Sequence, residues 1–213
     1  MRAGVLVLPS DISQITTQPG AAFDTVLSVE TGGALQDASG NNPLATLTSV
    51  GPNAVLSVPS LTLPQSFTSQ GIVSATTLTV HGTCTVAGGS TGAGTLTAAS
   101  VLVEAGGTLS GGTVQSSVTN NGNVSLSGSM NVTGNYSQAA GATLTEMFGA
   151  TLHVQSNAAL SGALNVQVNP KHPPASGASY TALTAGSLTG SFTSVTAGFT
   201  LTTKAKSIQV TKQ

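Results

Sequence analysis

The side chains that could do chemistry are few and widely spaced. Glu104 and Glu146 are the only acids between Val55 and Val168, and that stretch has no Lys or Arg. Two carboxyl groups about 5–10 Å apart are what glycosidic-bond hydrolysis uses, one as acid and one as base or nucleophile. These two lie 42 positions apart, so they would approach only if the chain returned on itself twice and both faced the same way. Two exposed surface acids are the simpler expectation. His81 and Glu104 are separated by 23 positions and would be neighbours on adjacent turns of a repeat. One imidazole and one carboxylate make half a metal site, so an ordinary surface hydrogen bond is expected there. His153 and His172 have no acidic company in sequence, and no glycine-rich segment is followed by the Lys-Ser/Thr of a phosphate loop. The expectation is a non-enzymatic protein with no catalytic, cofactor-binding or metal-ligating set.

Three other features have both a structural and a chemical meaning. Cys84 is the single cysteine, so no intramolecular disulfide can form. Within Thr83-Cys84-Thr85-Val86 alternation points it inward, as a small buried apolar residue rather than a reactive thiol. Thr-x-Thr recurs at Thr46/Thr48, Thr77/Thr79, Thr83/Thr85, Thr95/Thr97 and Thr143/Thr145. Stacked on one flat face such pairs could order water as ice-binding solenoids do, but the sequence spacing assigns them to different columns, and Thr favours strands in any case. Asn123, Asn131 and Asn135 each begin an Asn-x-Ser/Thr acceptor pattern, which would be a glycan site in a secreting eukaryote.

The elements that must position these residues are short and alternate. Between Val118 and Val168, Val124-Ser125-Leu126, Met130-Asn131-Val132, Leu152-His153-Val154 and Leu164-Asn165-Val166 carry apolar residues two apart, separated by Gly, Asn and Ser. That is the pattern of strands with one buried face. Met130 to Leu152 and Tyr136 to Ala158 are both 22 positions, and a fixed period of this size predicts a solenoid. Extended back to Val55, the segments fall into three columns. The first holds Val55, Leu78, Val101, Val124, Leu144 and Leu164. The second holds Leu61, Cys84, Leu109, Met130 and Leu152. The third holds Ile72, Leu96, Val114 or Val118, Tyr136 and Ala158. The sequence thus predicts an all-β, three-sided parallel β-helix of about 22 residues per rung. Five or six rungs spaced about 4.8 Å apart would make a short rod.

Composition agrees. Charged residues are only 5% of the 213, against about 25% in an ordinary domain, while hydrophobic residues are 39%. Disordered chains are charged and poor in Val and Leu, and helical bundles need a 3.6-residue pattern that no long window shows. Five basic residues, four of them in Lys171, Lys204, Lys206 and Lys212, cannot make a nucleic-acid footprint. No apolar run approaches the roughly 18 residues of a membrane helix, and the five-residue run Gly4 to Leu8 is short for a signal-peptide core.

The organisation expected is an N-terminal cap with the first irregular rungs over 1–54, a solenoid over 55–168 and a C-terminal β cap over 169–213. Residues 1–54 hold Pro9, Pro19, Pro43 and Pro52, four of the six acids, and strand-like pieces at 26–29 and 44–50. Leu35 precedes Leu56 by 21 positions, which places a first rung near Gly33. After the rigid Asn169-Pro170-Lys171-His172-Pro173-Pro174, hairpin-connected strands carrying Tyr180, Phe192 and Phe199 are expected to close the core.

From Val118 to Val210 the chain resembles the β-helical passenger regions of bacterial autotransporters and related surface exoproteins. The residues that carry this are Val118-Thr119-Asn120-Asn121-Gly122, Met130 through Gln138, Ala142-Thr143-Leu144, Gly177 through Leu183 and Gly190-Ser191-Phe192. The resemblance implies an exported, right-handed helix with a structural or adhesive role at the cell surface. Together with the low charge, it leads to the expectation of an extracellular solenoid that forms homo-oligomers or filaments through its ends or faces, with cell-surface glycans as possible partners. The alternative is a carbohydrate-binding or carbohydrate-cleaving β-helix, for which Tyr136 and Phe148 are the aromatics available to line a groove.

Overall fold

Strict alternation of Leu, Val and Ala with Thr, Ser and Asn lets a strand bury one side chain in two, and a stack of such strands satisfies its backbone along the stack. In a computed structural model of the chain, residues 47–213 apart from Asn53 are described. So is the backbone of Val5–Val7, Ala22–Phe23, Val26–Ser28 and Ala34–Gln36. The described residues contain strands and no helix, and the strands stack in parallel as a β-solenoid.

Three columns of strands make three faces. The first runs through 55–58, 72–75, 90–93, 108–111, 123–126, 143–147, 163–167 and 194–195. The second runs through 60–63, 77–80, 95–98, 113–115, 130–132, 152–154 and 183–185. The third runs through 67–69, 84–86, 101–103, 118–120, 136–138, 158–160 and 188–190. One apolar core fills the axis, from Leu47 and Val50 to Ile208 and Val210.

The rung length differs from the expected 22. Leu61, Leu78, Leu96 and Val114 are stacked at steps of 17 or 18, and Phe67, Cys84, Val101, Val118 and Tyr136 likewise. Downstream the step lengthens, to 20 from Leu144 to Leu164 and 22 from Met130 to Leu152 and Tyr136 to Ala158. The column assignments made from sequence therefore hold from Val124, Met130 and Tyr136 onward and shift upstream. Leu78 belongs to the second column, Cys84 and Val101 to the third, Ile72 and Leu109 to the first, and Leu96 to the second. The cause is arithmetic. A step of 17 residues plus one column advance of six, as from Val55 past Ile72 to Leu78, mimics a 22- to 23-residue period when every column is filled by Val and Leu.

Short rungs need sharp corners. Gly71, Gly89, Gly107, Gly122 and Gly162 each directly precede a strand of the first column, and so form a glycine ladder along one edge of the solenoid. A Cβ at Gly107 would lie 2.2 Å from the Val86 carbonyl oxygen, and one at Gly122 would lie 2.1 Å from that of Glu104. Asn121-Gly122 is accordingly a corner between parallel strands and not a hairpin turn.

The two ends differ. Upstream, Val26–Ser28 pairs in parallel with 55–57 and Ala22–Phe23 with Ser49–Val50, so the ladder continues beyond Val55. Leu27, not Leu35, is the partner of Leu56; Leu35 pairs with Leu6 in a separate two-stranded sheet. Downstream, the parallel stack passes residue 168, because Ser179–Gly190 adds a further rung on Leu152–Leu160. Only Phe199–Lys204 and Ser207–Lys212 form an antiparallel hairpin, and Ser207–Lys212 pairs with 179–184. The expected strand-like 44–46 lies outside the described residues.

Candidate functional site

Outward positions of the columns are ranks of hydroxyl and amide side chains. Adjacent rungs are joined on the outside by Thr83 with Ser100 at 3.0 Å, Thr97 donating to Gln115 at 3.0 Å and Thr145 donating to Asn123 at 2.9 Å. His153 with Thr184 at 2.9 Å, Ser187 donating to Asn157 at 3.1 Å and Thr196 donating to Asn165 at 3.1 Å continue the series. Each of these bonds runs along the stacking axis.

The second face departs from expectation. Thr77/Thr79 and Thr95/Thr97 are directly stacked, because Thr77 is in register with Thr95 and Thr79 with Thr97. The rung before adds Ser60 and Thr62, and the rung after adds Thr113 and Gln115. Four rungs thus present a two-rank grid of small polar side chains, with rungs about 4.8 Å apart and ranks about 6.6 Å apart along the strand. The other pairs do lie elsewhere: Thr83/Thr85 in the third column and Thr143/Thr145 in the first. Thr46 is outside the described residues. Sequence spacing missed the stack because it assumed the longer rung.

The structure separates the candidate acids. Glu104 is exposed, at the corner that follows the third column, whereas Glu146 is completely buried in the first column between Leu126 and Val166. They neither share a face nor form two surface acids, and the expectation for Glu146 is overturned. Its position in Thr143-Leu144-Thr145-Glu146-Met147 is an inward one, two residues after Leu144, which strict alternation would have shown. His81 and Glu104 are not neighbours either. His81 follows Val80, at the corner between the second and third columns, and Glu104 follows Val103 at the next corner. His153 is exposed and bonded to Thr184, and His172 is exposed in a turn. Among the described residues no group of three or more His, Cys, Asp or Glu side chains comes together to hold a metal ion.

Cys84 is fully buried between Phe67 and Val101, as alternation predicts. Burial pushes its thiol up to about 12, which leaves it protonated and unreactive in the folded protein. Tyr136 is also fully buried, so it is not available to line an outer groove. Phe148 packs on Tyr180 with ring centroids 4.6 Å apart. Of the three acceptor asparagines, Asn131 and Asn135 are exposed. Asn123 is partly buried and accepts from Thr145.

Sequence reasoning missed the buried polar cluster. Asn120 and Gln138 occupy inward positions of the third column that Val86, Val103 and Leu160 fill on other rungs. Asn120 donates to the Thr143 carbonyl at 3.0 Å and to the Tyr136 hydroxyl at 3.1 Å, and its Oδ1 accepts from the Gly122 amide at 3.1 Å. Tyr136 donates to Gln138 at 2.7 Å. Gln138 donates to the carbonyls of Ser161 at 2.9 Å, Ala163 at 3.0 Å and Ala142 at 3.3 Å. Both amides are thus hydrogen-bonded to backbone groups at the corners and to Tyr136, which is why they are tolerated inside an apolar core. Glu146 lies near this cluster and raises the Tyr136 hydroxyl, though burial is the larger cause.

No family model matches the chain, and no curated protein matches it either. The arrangement itself defines a β-solenoid with an apolar interior, a local polar cluster at one corner and uncharged outer ladders.

Proposed function

We propose that the protein is a non-enzymatic extracellular structural element, a β-solenoid subunit or module of a self-assembling surface fibre, filament or adhesin. The observation that carries this is the outer stapling. Six side-chain hydrogen bonds join adjacent rungs along the axis, and they stiffen a rod that already pairs its backbone in the same direction. A solenoid's stability adds rung by rung, and its exposed strand edges are templates for further pairing. The C-terminal end is protected in this respect. Lys204, Lys206 and Lys212 belong to the antiparallel hairpin at the C-terminal end, and edge lysines oppose further strand addition. Assembly therefore uses the upstream end or the long faces, and cell-surface glycans are the partners that suit exposed hydroxyl and amide ranks. Electron microscopy of the purified protein at rising concentration tests this. Rods joined end to end or side by side are expected; isolated compact monomers at high concentration would remove the assembly role.

The stacked threonines favour one second reading. The grid of Ser60, Thr62, Thr77, Thr79, Thr95, Thr97 and Thr113 is uncharged and in register, properties that ordering water into an ice-like layer needs. A thermal-hysteresis measurement on wild type and Thr79→Lys separates this from assembly. Hysteresis lost in the variant would support ice binding, and its absence in the wild type would end it.

A further inference from the structure

Glu146 stands where neighbouring rungs place Leu126 and Val166. Its carboxyl is fully buried, its Oε1 accepts from the Tyr180 hydroxyl at 2.5 Å, and its Oε2 has no hydrogen-bond partner. Tyr180 lies on Ser179–Gly190 opposite Val210 of Ser207–Lys212, the strand that closes the C-terminal end. Its ring packs on Phe148, and Phe148 lies 6.0 Å from Phe199, the first residue of the closing hairpin. A single hydrogen bond from the solenoid interior thus reaches the strand on which that hairpin is mounted.

We propose that the buried Glu146 carboxyl, tied to Tyr180, is a pH-sensitive latch: with the carboxyl neutral the C-terminal hairpin is held on the end of the solenoid, and a charge in that apolar site releases it. A neutral carboxylic acid is tolerated in an apolar core, whereas a carboxylate without a cation is not. The groups that face Glu146 supply none. Tyr180 approaches from Ser179–Gly190 and Tyr136 acts on it from Tyr136–Gln138, and burial with the nearby Glu146 keeps both phenols protonated. The flanking strands contribute Leu126 and Val166. The hairpin's Lys212 has its ammonium 5.5 Å from the Phe199 ring centroid, donating to the carbonyls of Gly198 and Gln213. Burial accordingly raises the Glu146 carboxyl to about 8, against the opposing pull of the Tyr180 bond.

The direction follows from linkage. Below the ordinary carboxyl value of 4.5 the group is protonated in folded and unfolded chains, and its contribution is fully present. Between 4.5 and about 8 only the unfolded or opened form releases its proton, so stability falls as pH rises. Above that range the contribution is lost. The inference does not depend on whether the rod assembles.

Hydrogen–deuterium exchange of the full chain at pH 6 and pH 9, with Glu146→Gln measured beside it at each pH, tests the latch. Glutamine keeps an acceptor for Tyr180 and cannot ionise, and the paired comparison cancels the intrinsic pH dependence of exchange. Expected is a wild-type-to-variant exchange ratio for amides in 179–184 and 207–212 that rises by on the order of tenfold or more between pH 6 and pH 9, each pKa unit of separation being a factor of ten. An equal ratio at both pH values would overturn the proposal, as would an increase spread evenly over 55–120. If Glu146→Gln does not fold, Tyr180→Phe takes its place. Removing the bond takes away a tie to the strand that carries the closing hairpin and the donor that eases the buried carboxyl. Residues 207–212 must then exchange faster than in wild type already at pH 6, and unchanged exchange there would overturn the latch.

Discussion

The solenoid upstream of Asn120 and the solenoid downstream of it solve the same stacking problem differently. Upstream, rungs advance by 17 or 18 residues and the core between Leu56 and Val118 is apolar except for Ser69, Thr91 and Ser116. Glycine at 71, 89 and 107 makes the corner into the first column. Downstream, steps lengthen to 20 and 22, Ala142 stands at the same corner of one rung, and Asn120, Gln138 and Glu146 enter the interior. The added length lies between the first and second columns, where the single residues 59, 76 and 94 upstream give way to 127–129 and 148–151 downstream. The buried polar groups gather at a different corner, between the third and first columns, where Gln138 donates to the Ser161 carbonyl.

Five substitutions break or sharpen this contrast, the destabilising ones taken from largest effect to smallest. Leu78→Ala removes a fully buried side chain from the apolar half, and a loss of about 2–5 kcal/mol is expected in chemical denaturation. Gln138→Leu keeps the volume in the polar half but leaves the Ser161 and Ala163 carbonyls without their donor. A loss of about 1–3 kcal/mol is expected, with faster hydrogen exchange around 161–163. Gly107→Ala forces a Cβ against the Val86 carbonyl, for about 1–3 kcal/mol of overpacking measured by thermal unfolding. Ala142→Gly, at the same corner of the longer rung, is expected to cost less than 1 kcal/mol, approximately a glycine's extra chain entropy. Finally, the buried Thr91 hydroxyl has no hydrogen-bond partner. Thr91→Val is therefore expected to stabilise by about 1 kcal/mol, visible as a higher denaturation midpoint with an unchanged slope.

Much of the fold could be read from residue types. Alternation at Val124-Ser125-Leu126 or Leu152-His153-Val154 marks strands and their inward faces, and it placed Cys84 inside. The correct period was legible only where a rung carries an individual mark, as at Met130, Tyr136 and Leu152. Upstream, Leu56, Leu61, Leu78 and Leu96 are interchangeable as labels, so a column advance could not be told from a rung. The candidate site suffered most from this. The Thr77/Thr95 and Thr79/Thr97 stack depends on register alone, and the roles of Asn120, Gln138 and Glu146 depend on which corner carbonyls and which tyrosine lie across the core.

The sequence by itself determined an all-β, low-charge stack of short strands with polar outer ranks, because a two-residue apolar period and frequent glycine allow little else. Tertiary structure alone decided the rung length, the threonine grid, the buried carboxyl and the inequality of the two ends. Each of these is a relation between residues 16 to 34 positions apart, set by how backbone hydrogen bonds align successive rungs. Residue type constrains a strand's own faces, but register between strands is settled only when the whole core closes around its corners.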